Sequence, residues 1–462
     1  MQASTITLIT LVLYQLALLG IGFWAKSRTH SMADFFLGGR TLGPWVSALS
    51  YSASSSSAWV LLGLSGFFYI TGTMALWILP GVWLGYVVVW LVIGPVLRQA
   101  SEKYDLITLT DFLVLGVSGK LKSVIQIIAA LLILFCFSLY VASQFQGAGK
   151  AFSSAFDLSM TTAVMIGAGV VLLYTWVGGF WAVSVTDAMQ AGFMVIVALI
   201  LAILAVIELG SPIAVFTAAT GSETTMPAAG IATIGFVLGC LGIGIGPLGQ
   251  PQLLTRLMAL RSVADIRSGF TIAITWSVVI FSSMAVLGLS ARSLLGTDTA
   301  PETVFFALSQ SLLPAALAGI VLAAVLSAIM STADSLLLAA GSAAAHDMGL
   351  ARRFAGKELL ISQMVTLAVS VIAVVLTLMV PASIFSRVLF AWSAMGAAFG
   401  PVVLLRALNR PPSGIGVLLS MLTGFFLTIW FYLLPNAPGD VLERVAPFVI
   451  AFLLAFFLRQ RD

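Results

Sequence analysis

Long apolar runs dominate this chain, and each of them is long enough to cross a lipid bilayer as a helix. The first covers residues 5–24, and the pattern continues to residue 458, so that about thirteen membrane-spanning helices are predicted. Only helices and closed barrels satisfy every backbone polar group inside lipid. The runs lack the alternation of barrel strands, and only 8% of the residues are charged. The sequence therefore predicts an all-α polytopic membrane protein in a lipid bilayer.

Basic residues are distributed unevenly between alternate loops. One set of loops contains most of them, including Lys26, Arg98, Arg256 and Arg406. Because lysine and arginine accumulate on the cytoplasmic side, we expect the N-terminus outside and the C-terminus in the cytoplasm. The expected location is the plasma (inner) membrane. These charges report topology, and no nucleic-acid partner is expected.

One apolar run in the last third of the chain carries an acid and several hydroxyls. At helical spacing, Ala328, Ser331, Thr332 and Ser335 lie on one face, with Asp334 beside it. An ionised carboxylate in hydrocarbon costs at least ~2.5 kcal/mol, so this face should meet protein, water or a cation. Hydroxyl, carbonyl and carboxylate oxygens suit a hard cation such as sodium. The alternative is a helix-packing face whose hydroxyls bond to their own backbone.

Two runs contain stretches that oppose an uninterrupted helix. The second run is rich in serine over residues 50–58, and the seventh has five glycines and two prolines within residues 239–251. They are five helices apart, so each could begin a repeat of opposite topology, as in transporters whose binding site lies at two broken helices. The alternative is that the glycines only allow close packing between helices.

A series of short motifs extends over most of the chain, from about residue 33 to residue 400. They are Ala-Asp-Phe-Phe-Leu-Gly-Gly-Arg at 33–40, Ala53 to Ser57 with Trp59, Tyr-Thr-Trp-Val-Gly-Gly-Phe at 174–180 followed by Thr186-Asp187, Gly249-Gln250-Pro251 with Arg256, and Met330-Ser331-Thr332. In this order and spacing they resemble the sodium/solute symporter family, most closely its sodium/proline members. The resemblance implies a LeuT-type fold with an inverted five-helix repeat.

This fold sets the expected organisation of residues 1–462 as a single transmembrane domain. The expected parts are an accessory first helix at 5–24, a first repeat at 45–208, a second repeat at 231–405 and accessory C-terminal helices at 414–458.

The resemblance also implies a shared sodium site, with Na⁺ as the coupling ion and the only metal expected. Its ligands would be the backbone carbonyls of Ala53, Ser56 and Ala328 and the hydroxyls of Ser331 and Thr332. These include residues of the hydroxyl face described above.

Some members of the family have a second cation site. In this chain, Asp187 together with Ser331, Asp334 and Ser335 resembles that site. Sodium would reduce the repulsion between the two carboxylates. The alternative is that Asp187 reaches cytoplasmic water, where it caps or gates, while Asp334 carries a proton.

The expected solute-binding residues combine polar and aromatic side chains without a fixed cation, which favours a neutral or zwitterionic solute. Ser55 stands where proline transporters have an acid, and Ile243 and Pro247 replace a tryptophan and a tyrosine associated with proline binding. Two of the tryptophans could equally pack against lipid or core. The expected set is Ser55, Ser57, Trp59, Tyr140, Gln144, Pro247, Gln250 and Trp392.

We therefore expect a sodium-coupled symporter of a small organic solute. L-proline is the first choice, and another amino acid or a monocarboxylate is the alternative. A transporter-like sensor or a channel is the second class, although a sensor should carry a long cytoplasmic extension after the last helix. An enzyme is not expected, because the sequence shows no paired catalytic groups and no nucleotide-binding loop.

Overall fold

A computed structural model describes residues 3–26, 37–175, 179–220, 230–314, 317–354, 357–380, 382–434 and 441–459. Parts of two motifs, at 33–36 and 176–178, lie outside the described residues. Within the described ranges the chain is helical, and its β-structure is limited to two isolated bridges, Leu42 with Leu260 and Pro412 with Arg459. The predicted all-α fold class is confirmed.

Each predicted apolar run coincides with helical structure where the chain is described. The α-helices are α1 Ala3–Lys26, α2 Pro44–Ser55, α3 Ser65–Thr71, α4 Ile78–Val87, α5 Gly94–Lys103, α6 Leu109–Leu113, α7 Gly119–Phe156, α8 Met160–Thr175, α9 Phe180–Glu208, α10 Pro212–Thr220, α11 Ile231–Gly242, α12 Pro251–Met258, α13 Asp265–Leu295, α14 Val304–Leu312, α15 Ala318–Ser342, α16 Leu350–Arg353, α17 Glu358–Met379, α18 Ile384–Ala407, α19 Gly414–Tyr432, α20 Val441–Arg444 and α21 Ala446–Phe457. Shorter 3₁₀ and π-helical turns cover Gly38–Arg40, Trp59–Leu64, Gly72–Trp77, Val88–Ile93, Ile243–Gly249, Pro301–Thr303 and Ala343–Asp347.

By length and composition, 9 helices among the described residues could cross a membrane. This number is below the predicted count for two reasons. It joins residues 59–103, which turn sharply at Gly72 (φ 68°), and it sets aside shorter apolar helices such as Thr5–Ile21 and Met160–Leu173. Helices α15 and α18 lie at the centre, since 94% of the most apolar part of each is buried, against 28% for α17.

Both predicted helix interruptions are present. Helix α2 ends at Ser55, and Ser56 (φ −105°, ψ 13°) leaves the helical conformation before the π-helical turn that begins at Trp59. Helix α11 gives way to the 3₁₀ turn at Ile243–Gly249, and Gln250 is extended (φ −88°, ψ 108°) before α12. Serine hydroxyls compete for backbone bonds in the first case, and glycine and proline weaken the helix in the second.

The glycines of the second interruption also allow close helix contact, so this stretch both interrupts a helix and packs closely. A Cβ on Gly244 would overlap the carbonyl oxygen of Gly81 in α4, and a Cβ on Gly249 would overlap the carbonyl oxygen of Met395 in α18. The interruption is therefore held directly against backbone on both sides, close to the middle of the bundle.

Candidate functional site

The hydroxyl face of α15 meets the interrupted end of α2. The Ser331 hydroxyl donates to the carbonyl oxygens of Ala53 (3.4 Å) and Ala328 (3.2 Å). The Thr332 hydroxyl donates to the carbonyl oxygens of Ser54 (3.1 Å) and Ala53 (3.5 Å). All of these residues are fully buried. We call Ala53, Ala328, Ser331 and Thr332 the neutral cluster, because its oxygens carry no formal charge.

The neutral cluster brings together four of the five residues expected to hold the shared sodium ion. Ser56, the fifth, lies at the interruption itself, and its buried hydroxyl has no hydrogen-bond partner among the described residues. The carbonyls at the end of a half-helix carry the negative end of its dipole. Such carbonyls and hydroxyls are hard oxygen ligands, so the residues present suit a hard monovalent cation.

A second, charged group of residues contacts the same helix. The Arg256 guanidinium forms an ion pair with Asp187 (Nη2–Oδ2 3.0 Å), and the two side chains are 1% and 0% exposed. The hydroxyls of Ser50 and Ser54 also donate to Asp187 Oδ2, at 2.7 and 3.2 Å. Arg256 Nη2 donates to the Ser335 hydroxyl (2.5 Å), which ties the ion pair to α15.

Asp334 completes what we call the charged cluster, namely Asp187, Arg256, Asp334 and Ser335. The Ser335 hydroxyl lies 3.4 Å from Asp334 Oδ1. Two carboxylate oxygens, Asp187 Oδ1 and Asp334 Oδ2, are buried without a partner in the described part of the chain. With both acids ionised, two negative charges face one positive charge, so the cluster has an unbalanced negative charge that a monovalent cation would neutralise.

Two sequence expectations about this region are corrected. Arg256 is not a loop residue: it lies in α12 and is buried, because the chain re-enters a helix at Pro251 directly after the second interruption. The Asp187 carboxylate is fully buried, so it does not reach water in this structure as one alternative supposed. The use of Asp187 and Asp334 in a cation site stays a prediction.

Most of the expected solute-binding residues lie together beside the first interruption. The rings of Trp59 and Trp392 meet edge to face, with centroids 5.7 Å apart, and Trp59 Nε1 donates to the carbonyl oxygen of Ser55 (3.0 Å). Tyr140 and Gln144 of α7 approach from the other side, and they donate to the Ser57 hydroxyl at 3.4 and 3.2 Å.

The second interruption, which contains Pro247 and is followed by Gln250, packs against Trp392 through Gly246. Pro247 is buried, and the neighbouring Gly246 packs so closely on Trp392 that a Cβ would lie 2.6 Å from the indole ring. Gln250 Oε1 accepts from Gln252 Nε2 (3.0 Å). Both tryptophans are buried within the protein, with exposed fractions of 0% for Trp59 and 4% for Trp392, so they do not face lipid.

Two buried side-chain donors in this region have no partner in the described part of the chain. Gln250 Nε2 and Trp392 Nε1 are buried, and neither forms a hydrogen bond among the described residues. A buried unsatisfied donor costs about 1–3 kcal/mol. A small polar solute bound beside the aromatic pair would accept hydrogen bonds from these donors.

Sequence reasoning missed four residues that shape these clusters: Ser50, Ser54, Tyr86 and Gln252. Ser50 and Ser54 had a usable signal, because residues four apart share a helix face. Tyr86, whose hydroxyl lies 2.9 Å from the Ser55 hydroxyl, had none, since it sits in an ordinary apolar run.

Beyond the charged cluster, a narrow cavity of ≈ 30 Å³ lies toward the end of α15. Arg256 and Ser335 line one part of it, and Thr108 and Asp347 line another. Nearby, His346 Nε2 lies 3.0 Å from Asp111 Oδ2. Burial alone would raise the pKa of Asp111, but the His346 ring and two backbone amides lower it below its ordinary value. Asp111 is therefore an ionised carboxylate at neutral pH.

Comparison with known proteins identifies the fold and the family. Residues 35–424 match the family model described as the sodium:solute symporter family. The chain is 33% identical to sodium/proline symporter 2 of Staphylococcus saprophyticus, over 99% of this chain and 93% of the relative. It is 32% identical to the sodium/proline symporter of Escherichia coli, over 98% of this chain and 94% of the relative. It is also 32% identical to the osmoregulated proline transporter of Bacillus subtilis, over 96% and 94%.

Solved structures give the same architecture. A substrate-bound, outward-open Na⁺-coupled sialic acid symporter superposes with a TM-score of 0.77 at 15% identity, covering 99% of both chains. The transporter MhsT, in complex with L-phenylalanine, superposes with a TM-score of 0.58 at 14% identity, covering 89% of this chain and 98% of MhsT. These likenesses establish a LeuT-type transporter fold.

The family match and the near-complete overlap with the relatives show that the chain is a multi-pass membrane transporter with sodium as its coupling ion. This protein belongs to the sodium:solute symporter family.

Proposed function

We propose that this chain couples the inward movement of sodium to the uptake of L-proline. The observation that carries the proposal is the junction of the two helix interruptions, where orphaned polar donors and an aromatic pair adjoin the neutral cluster. The relatives named above as proline transporters overlap the chain almost completely, which supports proline as the solute.

The chemistry of the junction favours a zwitterionic solute. None of the expected solute-binding side chains is a cation, so a substrate carboxylate would be held by backbone amides and the positive end of a half-helix. The edge-to-face pair of Trp59 and Trp392 offers apolar surface to a compact ring or side chain.

Sodium would bind at the neutral cluster, completed by the carbonyl of Ser56. Each ion that enters supplies ~2.3 kcal/mol per 100 mV of membrane potential. A tenfold sodium gradient adds ~1.4 kcal/mol. A second ion at Asp187, Ser331, Asp334 and Ser335 would add the same drive, and the excess negative charge that the charged cluster has when both acids are ionised would favour its binding.

The organisation we propose has two inverted repeats, at 45–208 and 231–405, with accessory helices at 5–24 and 414–458. In a plasma membrane the N-terminus would lie outside and the C-terminus inside. The cavity from Arg256 to Asp347 would then lead from the charged cluster toward the cytoplasm.

Uptake into proteoliposomes tests this function. We expect labelled L-proline to accumulate under an inward sodium gradient, to stop accumulating when an ionophore collapses that gradient, and not to accumulate under a potassium gradient alone. Unlabelled amino acids and monocarboxylates are added in turn as competitors. If one of these compounds competes more strongly than unlabelled proline and is itself taken up under a sodium gradient, that compound is the substrate instead of proline. Conductance without saturable solute uptake would contradict symport and indicate a channel.

A further inference from the structure

Three side chains that could bind a metal converge at the end of α15, away from both clusters. Asp111, His346 and Asp347 each offer one ligand atom, and these atoms all lie within 4.8 Å of one another. Asp111 comes from the loop-to-helix turn at α6, where Thr108 and Asp111 cap each other. His346 and Asp347 come from the π-helical turn at Ala343–Asp347 that follows α15.

Asp347 provides a second, independent observation at this point. Its side chain is 6% exposed, and Thr108 donates a hydrogen bond to Oδ1 (2.8 Å). Its other oxygen, Oδ2, is buried and has no partner among the described residues. A buried carboxylate oxygen without a donor is costly, and a cation at this point would satisfy it.

The neighbourhood of these three residues does not supply that cation. His346 is already engaged with Asp111, 3.0 Å away. Lys122 lines the adjacent surface cleft but forms no ion pair with either carboxylate in the described structure. Arg256, which lines the cavity on the other side, is paired with Asp187.

The group is accessible from the surface. Asp111 and His346 are 15% and 19% exposed, and both line a cleft of ≈ 360 Å³. A hydrated ion could therefore reach them without entering the membrane-embedded bundle.

We propose that Asp111, His346 and Asp347 bind a first-row divalent cation. One imidazole nitrogen and two carboxylate oxygens match the ligand preferences of Zn²⁺, Co²⁺ or Mn²⁺, whereas an alkali cation gains little from imidazole. The metal replaces the direct contact between His346 and Asp111 and bonds to the orphaned oxygen of Asp347. Bound metal fastens the end of α15, the helix that carries Ser331 and Thr332, to the α6 turn.

The test uses purified full-length protein stripped of metal with EDTA and then titrated with CoCl₂, with absorption spectroscopy as the readout and ZnCl₂ as competitor. We expect one Co²⁺ per chain, with the visible bands of nitrogen and oxygen ligation, and a rise in unfolding temperature that depends on Co²⁺ concentration. His346→Gln and Asp347→Asn should each weaken binding more than about tenfold. The matched control is His30→Gln, which removes the other histidine of the chain and should bind Co²⁺ as the wild type does.

Gel filtration and thermal unfolding in EDTA establish that each variant is folded, and Asp347→Asn decides the matter if His346→Gln does not fold. Absence of stoichiometric Co²⁺ binding to the wild type would overturn the proposal. Equal binding by wild type and folded His346→Gln or Asp347→Asn would do the same, and so would equal loss in the His30→Gln control.

Discussion

The neutral cluster and the charged cluster sit about one turn apart on α15 but are built in opposite ways. The neutral cluster takes its oxygens from the carbonyls exposed by a broken helix and from two hydroxyls, Ser331 and Thr332. In the charged cluster, charged side chains would attract the cation. Asp187 is paired with Arg256, and one carboxylate oxygen of Asp334 has no hydrogen-bond partner among the described residues. Cation binding at the first should depend on backbone geometry, and at the second on charge balance.

Breaking the ion pair of the charged cluster should have the largest effect. Arg256→Gln leaves the buried Asp187 carboxylate without its cation, which costs about 3–5 kcal/mol of stability, and Asp187→Asn should cost less, because Asp334 remains in the cluster as a second carboxylate. The double variant removes both charges, so it should lose clearly less than the sum of the two single losses. Unfolding of all four proteins in detergent measures this cycle. Additive losses would mean that the two charges do not stabilise each other.

Asp334→Asn removes a carboxylate from the charged cluster and leaves the neutral cluster intact. If a second sodium ion binds there, reversal potentials in proteoliposomes give a ratio of about two sodium ions per solute for wild type, falling to about one for Asp334→Asn. A ratio near one in wild type, or an unchanged higher ratio in the variant, would remove Asp334 from sodium coupling.

A smaller effect is expected on the solute side. Tyr140→Phe keeps the buried ring and removes only the hydroxyl that donates to Ser57 at 3.4 Å. One hydrogen bond contributes about 0.5–1.5 kcal/mol, so the KM for solute should rise at most about tenfold. The sodium concentration for half-maximal uptake should not change. A shift in this sodium concentration as large as the shift in KM would show that Tyr140 affects sodium binding as much as solute binding.

Local signals in the sequence predicted each of the two segments that form the neutral cluster. Helical spacing places Ser331 and Thr332 on one face, and serine content predicts a break within residues 50–58, whereas the meeting of these two segments was implied only by the family resemblance. The same local logic failed for Arg256. A basic residue shortly after a glycine- and proline-rich stretch has the pattern of a loop charge, and only the path of the chain through α12 turns it inward toward Asp187.

Partners from distant segments could not be predicted for the same reason. Tyr86 approaches Ser55 because α4 packs on the second interruption, where Gly244 meets Gly81 at backbone distance. That contact depends on the shape of both segments, and the sequence of neither segment predicts that it packs against the other. The orphaned oxygen of Asp347 likewise becomes visible only when the α6 turn lies beside it.

The most direct test of the account is sodium binding without solute, since the neutral cluster is claimed to hold the coupling ion. Purified wild type, Ser331→Ala/Thr332→Ala and Ser327→Ala are compared by ²²Na⁺ binding. Ser327 is the matched control, because it is a buried serine one turn away on α15 whose hydroxyl donates to Ala323 instead of facing Ala53. We predict that the double variant needs more than about tenfold more sodium for half-saturation, because it has lost two oxygen ligands, and that Ser327→Ala binds sodium like the wild type. Unchanged sodium affinity in the folded double variant would contradict it.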